Sequence, residues 1–218
     1  MPACPRRRPI VYADAMSQTL VIYGAGGHGR VVADSALRRG AFASLMFCDD
    51  QPSKRLIHGL RVLDSLDAAP ADSRFLVAVG DNAARRRLTD RVRARGCAFA
   101  DVVDPTAVVS ASARLHEHLF VGARAVVNAD VVIDEGVILN TGCIVEHDCR
   151  VGAFAHVSPG SVLGGGVSVG AGTLVGIGAC VRPHVRIGAG CTVGAGAVVV
   201  KDVPDGATVV GVPAQPLR

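Results

Sequence analysis

Tryptophan is absent from this 218-residue chain, and aromatic residues make up only 4% of it. No stretch of 18 consecutive apolar residues occurs, so the sequence predicts no membrane-spanning helix. The formal net charge is only +4, and most basic residues precede residue 103, so no concentrated basic surface for nucleic acid is predicted. The 26 glycines and the 50% hydrophobic content instead suit a narrow core bounded by many tight turns.

The first fifteen residues, MPACPRRRPIVYADA, include basic residues but no apolar core adequate for a signal peptide. We therefore expect residues 1–15 to be a disordered extension and the folded chain to start near Met16. The seven cysteines form an odd set, which favours reduced thiols in a cytoplasmic protein over a disulfide framework.

The C-terminal half carries a sixfold repeat. From Val103 to Val193 an apolar residue falls on nearly every sixth position, which gives sixteen hexads without an insertion. The fifth residue of each hexad is also small or modest in size, and Cys143, Cys149 and Cys191 are among these. The step from the fifth residue to the next first residue is two, as in a strand, and the three residues between the first and the fifth form a corner. This pattern predicts a parallel β-helix, because an α-helix needs 3.6-residue spacing and tolerates glycine poorly.

The N-terminal half begins with a strand, a glycine loop and a helix. Residues 20–23 predict the strand, GAGGHG at 24–29 forms the loop, and residues 30–39 predict the helix, whose N-terminus favours a phosphate. A second strand at 45–48 ends in Asp49 and Asp50, where an acidic side chain can meet a ribose or a base.

A third strand is predicted at 75–79, followed by Gly80, Asp81 and Asn82. An arginine-rich helix then covers about 83–95, and its arginines are expected to face solvent. These elements amount to half of a dinucleotide-binding domain. The expected fold is therefore an α/β half-Rossmann domain followed by a parallel β-helix.

One corner of the repeat combines Glu146, His147 and Asp148. His147 is the third residue of its hexad and should point away from the interior. Because strand alternation fails at a corner, the Asp148 carboxylate can reach the imidazole and increase its basicity. Stacking by eighteen residues puts Gly165, within the glycine run 164–166, above His147, which leaves open space and backbone amides for an oxyanion. Two simpler interpretations stay open: a solvated corner histidine, and glycines that serve only the tight corners.

The other histidines are assigned by position. His156 is sixth in its hexad and should point outward to the surface. The histidines expected to be solvated in loops or corners are His58, His116, His118 and His184.

The combination of YGAGGHG, CDD, VAVGDN and IVEHD with a hexapeptide array resembles the nucleotide-sugar acetyltransferases of the hexapeptide-repeat superfamily. These include the bacillosamine-pathway and perosamine N-acetyltransferases and the sialic-acid O-acetyltransferases. The resemblance covers residues 16–218 and implies a left-handed β-helix. It implies a nucleotide-sugar-binding domain at 16–100, an acetyltransferase β-helix at 101–203 and a C-terminal tail at 204–218.

The resemblance also implies roles for individual residues. His147 would be the general base, and Asp148 would increase its basicity. The acetyl-CoA contacts would come from His156, Gly165, Ile177 and Ala195. The nucleotide-sugar contacts would come from Gly26, Gly27, His28, Asp49, Asp50 and Gly80. The closing GVPAQPLR resembles a GVPAK ending, but Gln215 replaces the lysine that could meet a CoA phosphate, a contact that Arg218 could supply instead.

The sequence is therefore interpreted as an acetyl-CoA-dependent N-acetyltransferase that needs no metal. Its acceptor would be the 4-amino group of a nucleotide-linked 4-amino-4,6-dideoxy sugar. By the same resemblance it would be a homotrimer with acetyl-CoA bound between subunits. The nucleotide, whether UDP, GDP or CMP, and the sugar epimer stay open.

Four alternatives remain at this stage. The nearest is O-acetylation of a sialic acid by the same base. A zinc hydratase like the γ-class carbonic anhydrases would need three converging histidines, but the His116 and His118 pair lies more than a coil away from His147. An NAD-dependent enzyme would need the missing half-domain. A non-catalytic nucleotide-sensing trimer would bind a nucleotide sugar without releasing thiol from acetyl-CoA.

Overall fold

The computed structural model describes residues 18–217, so the extension expected at 1–15, Met16 and Arg218 lie outside the described residues. The described chain forms an α/β domain followed by a three-sided parallel β-helix. No helix in this part of the chain has the length and hydropathy needed to cross a bilayer.

The α/β domain is one mixed sheet with a helix on each face. Its elements are β1 Thr19–Tyr23, α1 Gly27–Arg39, β2 Ser44–Cys48, β3 Leu56–Ile57, β4 Leu60–Leu63, a 3-10 helix Leu66–Ala68, β5 Arg74–Val77, α2 Asn82–Ala94 and β6 Ala98–Phe99. The strand order is β3-β4-β2-β1-β5-β6, and only the β3-β4 pair is antiparallel. The three predicted strands and both predicted helices are confirmed, whereas β3, β4 and β6 are additional strands.

In the β-helix every third strand stacks on the same face, with partners eighteen residues apart, as between Val127 and Val145. We call the faces the covered, apolar and arginine faces. The covered face contains β7 Val102–Val103, β10 Phe120–Val121, β13 Ile138–Leu139, β16 His156–Val157, β19 Leu174–Val175, β22 Thr192–Val193 and β24 Thr208–Val210, and β25 Gln215–Pro216 pairs antiparallel with β24. The apolar face contains β8 Val108–Val109, β11 Val126–Val127, β14 Ile144–Val145, β17 Val162–Leu163, β20 Cys180–Val181 and β23 Val198–Val199. The arginine face contains β9 Arg114–Leu115, β12 Val132–Ile133, β15 Arg150–Val151, β18 Ser168–Val169 and β21 Arg186–Ile187.

The corners explain the glycine content. At every sixth residue from His118 to Gly196 the backbone φ is positive, and glycine occupies most of these positions. Glycine adopts this conformation without steric cost, and Asp and Asn adopt it more readily than bulky residues do. The predicted inward residues from Leu119 to Ala197 are buried as expected, with Val145, Cys149 and Leu163 at 0% exposure, and most of those in the first coil are partly buried. The sixfold repeat is therefore confirmed as a parallel β-helix.

The parallel stack continues beyond residue 203, whereas the C-terminal tail was expected to begin at residue 204. Strand β24 joins the covered face, and its Val209 pairs with Val193, which lies sixteen residues earlier instead of eighteen. The last coil is thus two residues shorter than the others, so counting in sixes misses it. The carboxylate of Asp202 accepts the N–H of Arg186 at 2.8 Å, and that of Asp205 accepts the N–H of Ala189 at 2.9 Å.

The α/β domain packs on the covered face. The outward side chains of Val102, Phe120 and Ile138 are only 1–2% exposed, because they share one apolar cluster with Leu20 and Val32 of the α/β domain. His118 also lies at this junction and is 1% exposed, so the expectation that it is solvated is wrong. Its Nε2 accepts the Val77 N–H at 3.0 Å, and burial lowers the pKa of the imidazole to about 3.

Arg85 on α2 joins the two parts of the chain and is 1% exposed, which contradicts the expectation that every arginine of this helix faces solvent. Its guanidinium donates to the carbonyls of Gly136 and Phe154 in the β-helix, both at 2.8 Å, and to the Val79 carbonyl at 3.0 Å. Burial lowers the pKa of Arg85 to about 10, so the group stays charged near neutral pH. Carbonyl oxygens from both parts of the chain therefore compensate for the desolvation of this cation.

We expect Arg85→Met to lower the free energy of unfolding by about 3 kcal/mol, because it leaves several buried carbonyls without donors. Urea unfolding followed by circular dichroism measures the change. Arg87→Met on the exposed side of the same helix is the matched control and should change stability by less than about 0.5 kcal/mol. Equal losses in the two variants would contradict a special role for Arg85.

Candidate active site

His147 lies at the edge between the apolar and arginine faces, which we call the His147 edge and which contains 146–148, 164–166 and 182–184. Its side chain is 59% exposed, as expected for a corner residue. The backbone of the next residue, Asp148, has a φ of 60°, and its carboxylate Oδ2 lies 2.8 Å from His147 Nδ1. The predicted contact between neighbouring side chains is therefore present.

This contact determines how the imidazole behaves. The hydrogen bond and charge of Asp148 raise the pKa of His147, because the carboxylate stabilises the imidazolium. A carboxylate accepts hydrogen bonds, so Nδ1 carries the proton and the neutral ring presents the lone pair of Nε2. No residue between 18 and 217 forms a hydrogen bond with Nε2.

The wall beside Nε2 is bare. A Cβ added to Gly165 would lie 2.6 Å from His147 Nε2, so any other residue there would displace the ring. The N–H of Gly164 donates to Val181 and that of Gly166 donates to His147, both at 2.9 Å. Among the described residues the Gly165 N–H has no acceptor, so this amide is free to bind a ligand atom.

Ile177 and Ala195 lie at a different edge, between the covered and apolar faces. This Ile177 edge contains the corners 140–142, 158–160, 176–178 and 194–196. Both side chains project into solvent, with Ile177 62% exposed. The width of the apolar face separates them from His147 within one chain. The predicted acetyl-CoA contacts are thus divided, with Gly165 beside His147 and with Ile177 and Ala195 at the other edge.

His156 points outward from the covered face, as expected, but it is only partly exposed because the α/β domain packs beside it. Its Nε2 is 3.1 Å from Asn140 Nδ2, and the ring also hydrogen bonds to the backbone of Gly80. Burial and the nearby Arg85 charge lower its pKa to about 4. His156 is therefore a neutral side chain that connects the β-helix to the α/β domain.

The glycine loop lies at the carboxyl end of β1, between α1 and the crevice next to β5. Gly24 has a φ of 115°, and a Cβ on Gly29 would lie 1.9 Å from the Gly24 carbonyl oxygen, so both positions require glycine. Gly26 and Gly27 have nothing within 4 Å of an added Cβ, which leaves their backbone open to a ligand. No side chain caps the start of α1, so its first N–H groups can meet an anion.

His28 faces the β-helix instead of the open side of the loop. Its ring packs edge-on against Phe120 at 5.3 Å and lies 6.4 Å from His156. Burial, with smaller effects of His156 and Arg85, lowers its pKa to about 4. Its Nε2 is buried without a hydrogen-bond partner in the described chain.

Both carboxylates after β2 are engaged by protein groups. Asp49 accepts the N–H groups of Ala25 at 2.9 Å and Gln51 at 3.0 Å. Asp50 accepts the Tyr23 hydroxyl at 2.7 Å and pairs with Arg91 at 2.6 Å. Asp49 therefore supports the glycine loop, and direct contact of either residue with a nucleotide stays a prediction.

Gly80 lies in the crevice at the carboxyl end of β5. It borders a cavity of about 260 Å³ with Asn82, Gly172, Leu174 and Thr192 from the start of α2 and the upper covered face. The Asn82 side chain donates to the Gly172 carbonyl at 2.9 Å. In open α/β sheets ligands bind at carboxyl strand ends where helices leave on opposite sides, as α1 and α2 do here.

Sequence reasoning missed three supporting residues. Arg85 binds a β-helix carbonyl at the domain junction, and Asn140 contacts His156. Asn128 donates to the Glu146 carboxylate at 2.9 Å, next to His147. Of these three, only Arg85 could have been recognised from the sequence, because it lies on the same side of helix α2 as the buried residues Thr89 and Val92. In the part of the chain that the structure describes, no three His, Cys, Asp or Glu side chains are placed to hold a metal ion.

Comparison with known proteins gives consistent results for both parts of the chain. Residues 19–92 match the PglD N-terminal domain, and residues 166–201 match the bacterial transferase hexapeptide (six repeats). The acetyltransferase domain of PglB from Neisseria gonorrhoeae FA1090, solved with acetyl coenzyme A, is 41% identical over 92% of this chain and 99% of that one, with a TM-score of 0.88.

Two further solved structures agree. PerB from Caulobacter crescentus, in complex with CoA and GDP-perosamine, is 40% identical over 94% of this chain and 99% of that one, with a TM-score of 0.86. WeeI from Acinetobacter baumannii AYE is 27% identical over 92% of this chain and all of that one, with a TM-score of 0.78. The half-Rossmann domain and the left-handed β-helix are thus confirmed together. This chain belongs to the nucleotide-sugar acetyltransferases of the hexapeptide-repeat superfamily.

Proposed function

We propose that this acetyltransferase transfers an acetyl group from acetyl-CoA to the 4-amino group of a nucleotide-linked 4-amino-4,6-dideoxy sugar, with His147 as the general base. The observation that carries the proposal is the imidazole bound to Asp148 at 2.8 Å, whose second nitrogen faces a glycine wall. PglB solved with acetyl coenzyme A and PerB solved with CoA and GDP-perosamine support the donor and an amino-sugar acceptor.

The reaction needs one base and no covalent enzyme intermediate. The acceptor nitrogen attacks the thioester carbonyl carbon, a C–N bond forms, and Nε2 of His147 takes a proton from the nitrogen. The tetrahedral intermediate then collapses as the C–S bond breaks, and the leaving thiolate takes the proton from the imidazolium. The products are the amide and CoA with a free thiol.

Two neighbouring groups support this chemistry. Asp148 stabilises the imidazolium that forms during attack, and it fixes the ring by holding Nδ1. The Gly165 N–H lacks an acceptor in the described chain and is our candidate donor to the oxyanion.

The nearby cysteines do not favour a covalent alternative. Burial raises the pKa of Cys143 to about 12 and that of Cys149 to about 11. Both thiols face the interior of the prism and have 0% exposure. A thiolate is the reactive form of cysteine, so neither residue is suited to attack a thioester.

The acceptor nucleotide would bind to the α/β domain. Gly26 and Gly27 give a phosphate access to the start of α1, and Gly80 borders the cavity at the next strand. His28 would support this loop from the β-helix side. PerB supports GDP as one possible nucleotide, and UDP stays an equal candidate. A cytoplasmic location stays a prediction.

We further propose a homotrimer whose sites lie between subunits. The outward residue is apolar on all six strands of the apolar face, whereas arginine dominates the neighbouring face. The apolar face is flanked by the His147 edge and by the Ile177 edge, each of which carries part of the predicted site. Packing the apolar faces around a threefold axis would bring the His147 edge of one subunit against the Ile177 edge of the next.

The first test is a thiol-release assay with acetyl-CoA and a panel of acceptors, namely UDP- and GDP-linked 4-amino sugars and free sialic acid. We expect release with a nucleotide-linked 4-amino sugar and a fall in kcat of about 100-fold or more in His147→Ala, the usual effect of losing a general base. His116→Ala, outside the proposed site, should keep the wild-type rate. Acetylation of free sialic acid, but of no nucleotide-linked amino sugar, would contradict the N-acetyltransferase proposal. An unchanged kcat in His147→Ala would show that His147 is not the general base.

The second test uses the pH dependence of kcat/KM. In the wild type Asp148 raises the pKa of His147, and activity falls as the pH drops through that pKa because the imidazolium cannot accept a proton. Asp148→Asn should therefore move the acidic limb to lower pH and reduce the plateau by about tenfold. Asp130→Asn is the matched control, since Asp130 lies one coil away and has a φ of 58°. If the acidic limb of Asp148→Asn stayed at the wild-type pH, Asp148 would not be the group that raises the pKa of His147.

The third test addresses the assembly. Val162→Glu on the apolar face should convert the trimer to monomers, because it buries a charge at each interface, and should remove activity. Ser168→Glu, outward on the next strand along the chain, is the matched control and should stay trimeric and active. Sedimentation equilibrium measures the mass, and circular dichroism checks the fold. An active Val162→Glu monomer would show that one chain holds a complete site.

A further inference from the structure

A second imidazole lies against the glycine wall beside His147. His184 is exposed, and a Cβ added to Gly166 would lie 2.6 Å from its Nδ1, just as a Cβ added to Gly165 would lie 2.6 Å from His147 Nε2. The Gly166 N–H donates to the His147 carbonyl, and the His184 N–H donates to the Gly165 carbonyl, both at 2.9 Å. One ring therefore reaches the wall from the coil below and the other from the coil above, and two adjacent glycines form the floor between them.

The backbone gives no reason for a histidine at this corner. His184 has a φ of 63°, and each of the other corner positions with positive φ from Gly160 to Gly196 is glycine. Glycine adopts this conformation without steric cost, whereas a non-glycine residue with positive φ is uncommon. Backbone strain of this kind is concentrated at functional sites. The His184 side chain therefore needs an explanation outside the fold.

Both ring nitrogens of His184 are available to a ligand. Neither forms a hydrogen bond or an ion pair with any residue of the described range 18–217. His147 differs, because the Asp148 carboxylate already holds its Nδ1 at 2.8 Å. A neutral imidazole has one donor and one acceptor nitrogen, so it can donate to the oxygen of a hydroxyl group or accept the hydroxyl proton.

His184 lies on the side of His147 that the donor leaves open. It is the last residue of its corner and so borders the arginine face, as Asp148 and Gly166 do in the coils below. The donor contacts predicted at the Ile177 edge lie across the apolar face, and in the proposed trimer they approach His147 from that side. The acceptor must therefore approach the thioester from the arginine-face side, where His184 lies.

The proposed acceptor carries a hydroxyl next to its amine. In a 4-amino-4,6-dideoxy sugar, the C4 amine is flanked by C3, which bears a hydroxyl, and by C5, which bears a methyl group. Neighbouring Cα atoms are about 3.8 Å apart, so His147 Nε2 and His184 Nδ1, over adjacent glycines, are at most about 12 Å apart. Two hydrogen bonds of about 3 Å each, with the amine and hydroxyl between them, fit within this distance.

We infer that His184 is a specificity-determining residue that hydrogen bonds to the C3 hydroxyl of the acceptor sugar and so directs the C4 amine to His147 Nε2. The inference rests on the proposed function, since it takes the amine to be bound at His147. His184 binds the acceptor and takes no proton in the reaction. A sugar without this hydroxyl would lose the contact and be a poorer acceptor.

The experiment compares His184→Gly with the wild type in the thiol-release assay, using a nucleotide-linked 4-amino sugar that the wild type acetylates and the same sugar without its C3 hydroxyl. With the intact sugar, kcat/KM for the acceptor should fall about tenfold, as expected for the loss of one hydrogen bond, and the KM for acetyl-CoA should stay within about twofold. With the 3-deoxy sugar, the variant should equal the wild type. Because glycine relieves the backbone at this corner, the melting temperature should rise by about 2 °C even as activity falls.

Two further variants separate the ring from the backbone. His184→Asn tolerates positive φ and keeps a donor and an acceptor, so it should recover part of the lost kcat/KM. Asp130→Gly changes the corresponding position of a lower corner, where φ is 58°. It should raise the melting temperature in the same way and leave kcat/KM unchanged.

Three results would overturn the inference while leaving the proposed function intact. They are an unchanged kcat/KM in His184→Gly, an equal loss with the intact and the 3-deoxy sugar, and a loss that appears only as a higher KM for acetyl-CoA. Failure of the wild type to release thiol with any sugar acceptor would instead overturn the proposed function itself.

Discussion

The eighteen-residue register of the β-helix is the constraint on which the site depends. Neighbouring coils are joined by backbone hydrogen bonds in both directions, such as those from the Gly166 N–H to the His147 carbonyl and from the Gly164 N–H to the Val181 carbonyl, both at 2.9 Å. Side chains alternate between inward and outward positions along each strand, so a slip of one residue would turn outward groups into the core. A single inserted residue between His147 and Gly165 would also put a different residue beside the imidazole. An uninterrupted repeat is therefore a requirement of the proposed chemistry as well as of the fold.

The inward residues make the prism, but the outward residues decide what each face does. All three faces bury the same kind of small aliphatic side chains. The outward positions differ: Phe120 and Ile138 on one face, Val126 and Ile144 on the next, and arginines on the third. The first set is covered by the α/β domain of the same chain, which leaves the second as an apolar surface that no residue of the described range 18–217 covers. This division puts the two parts of the predicted acetyl-CoA site at opposite edges of one uncovered face.

Features set by local sequence and register were predictable, and those set by domain docking were not. The contact of His147 with Asp148 and the bare wall at Gly165 follow from positions within the hexad and from stacking by eighteen. His118 and His156 were placed correctly in the repeat, but nothing in the repeat says which outward positions another domain will cover. Arg85 was misjudged for the same reason, since arginines on a helix usually face solvent and its acceptors in the β-helix, Gly136 and Phe154, lie 51 and 69 residues away.

The histidines show why a catalytic base belongs at an exposed edge. Burial at the junction between the α/β domain and the β-helix lowers the pKa of His28 and His156 to about 4 and that of His118 to about 3, because a desolvated site disfavours the imidazolium. A general base works best with a pKa near the working pH, since it must bind the proton firmly and yet start neutral. His147 is exposed and lies within hydrogen-bond distance of the Asp148 carboxylate, at 2.8 Å. The positive φ of Asp148 lets these two consecutive side chains meet, whereas a strand would direct them to opposite sides. The same tight corner that bends the chain from one face to the next therefore also produces the pair that can accept the proton.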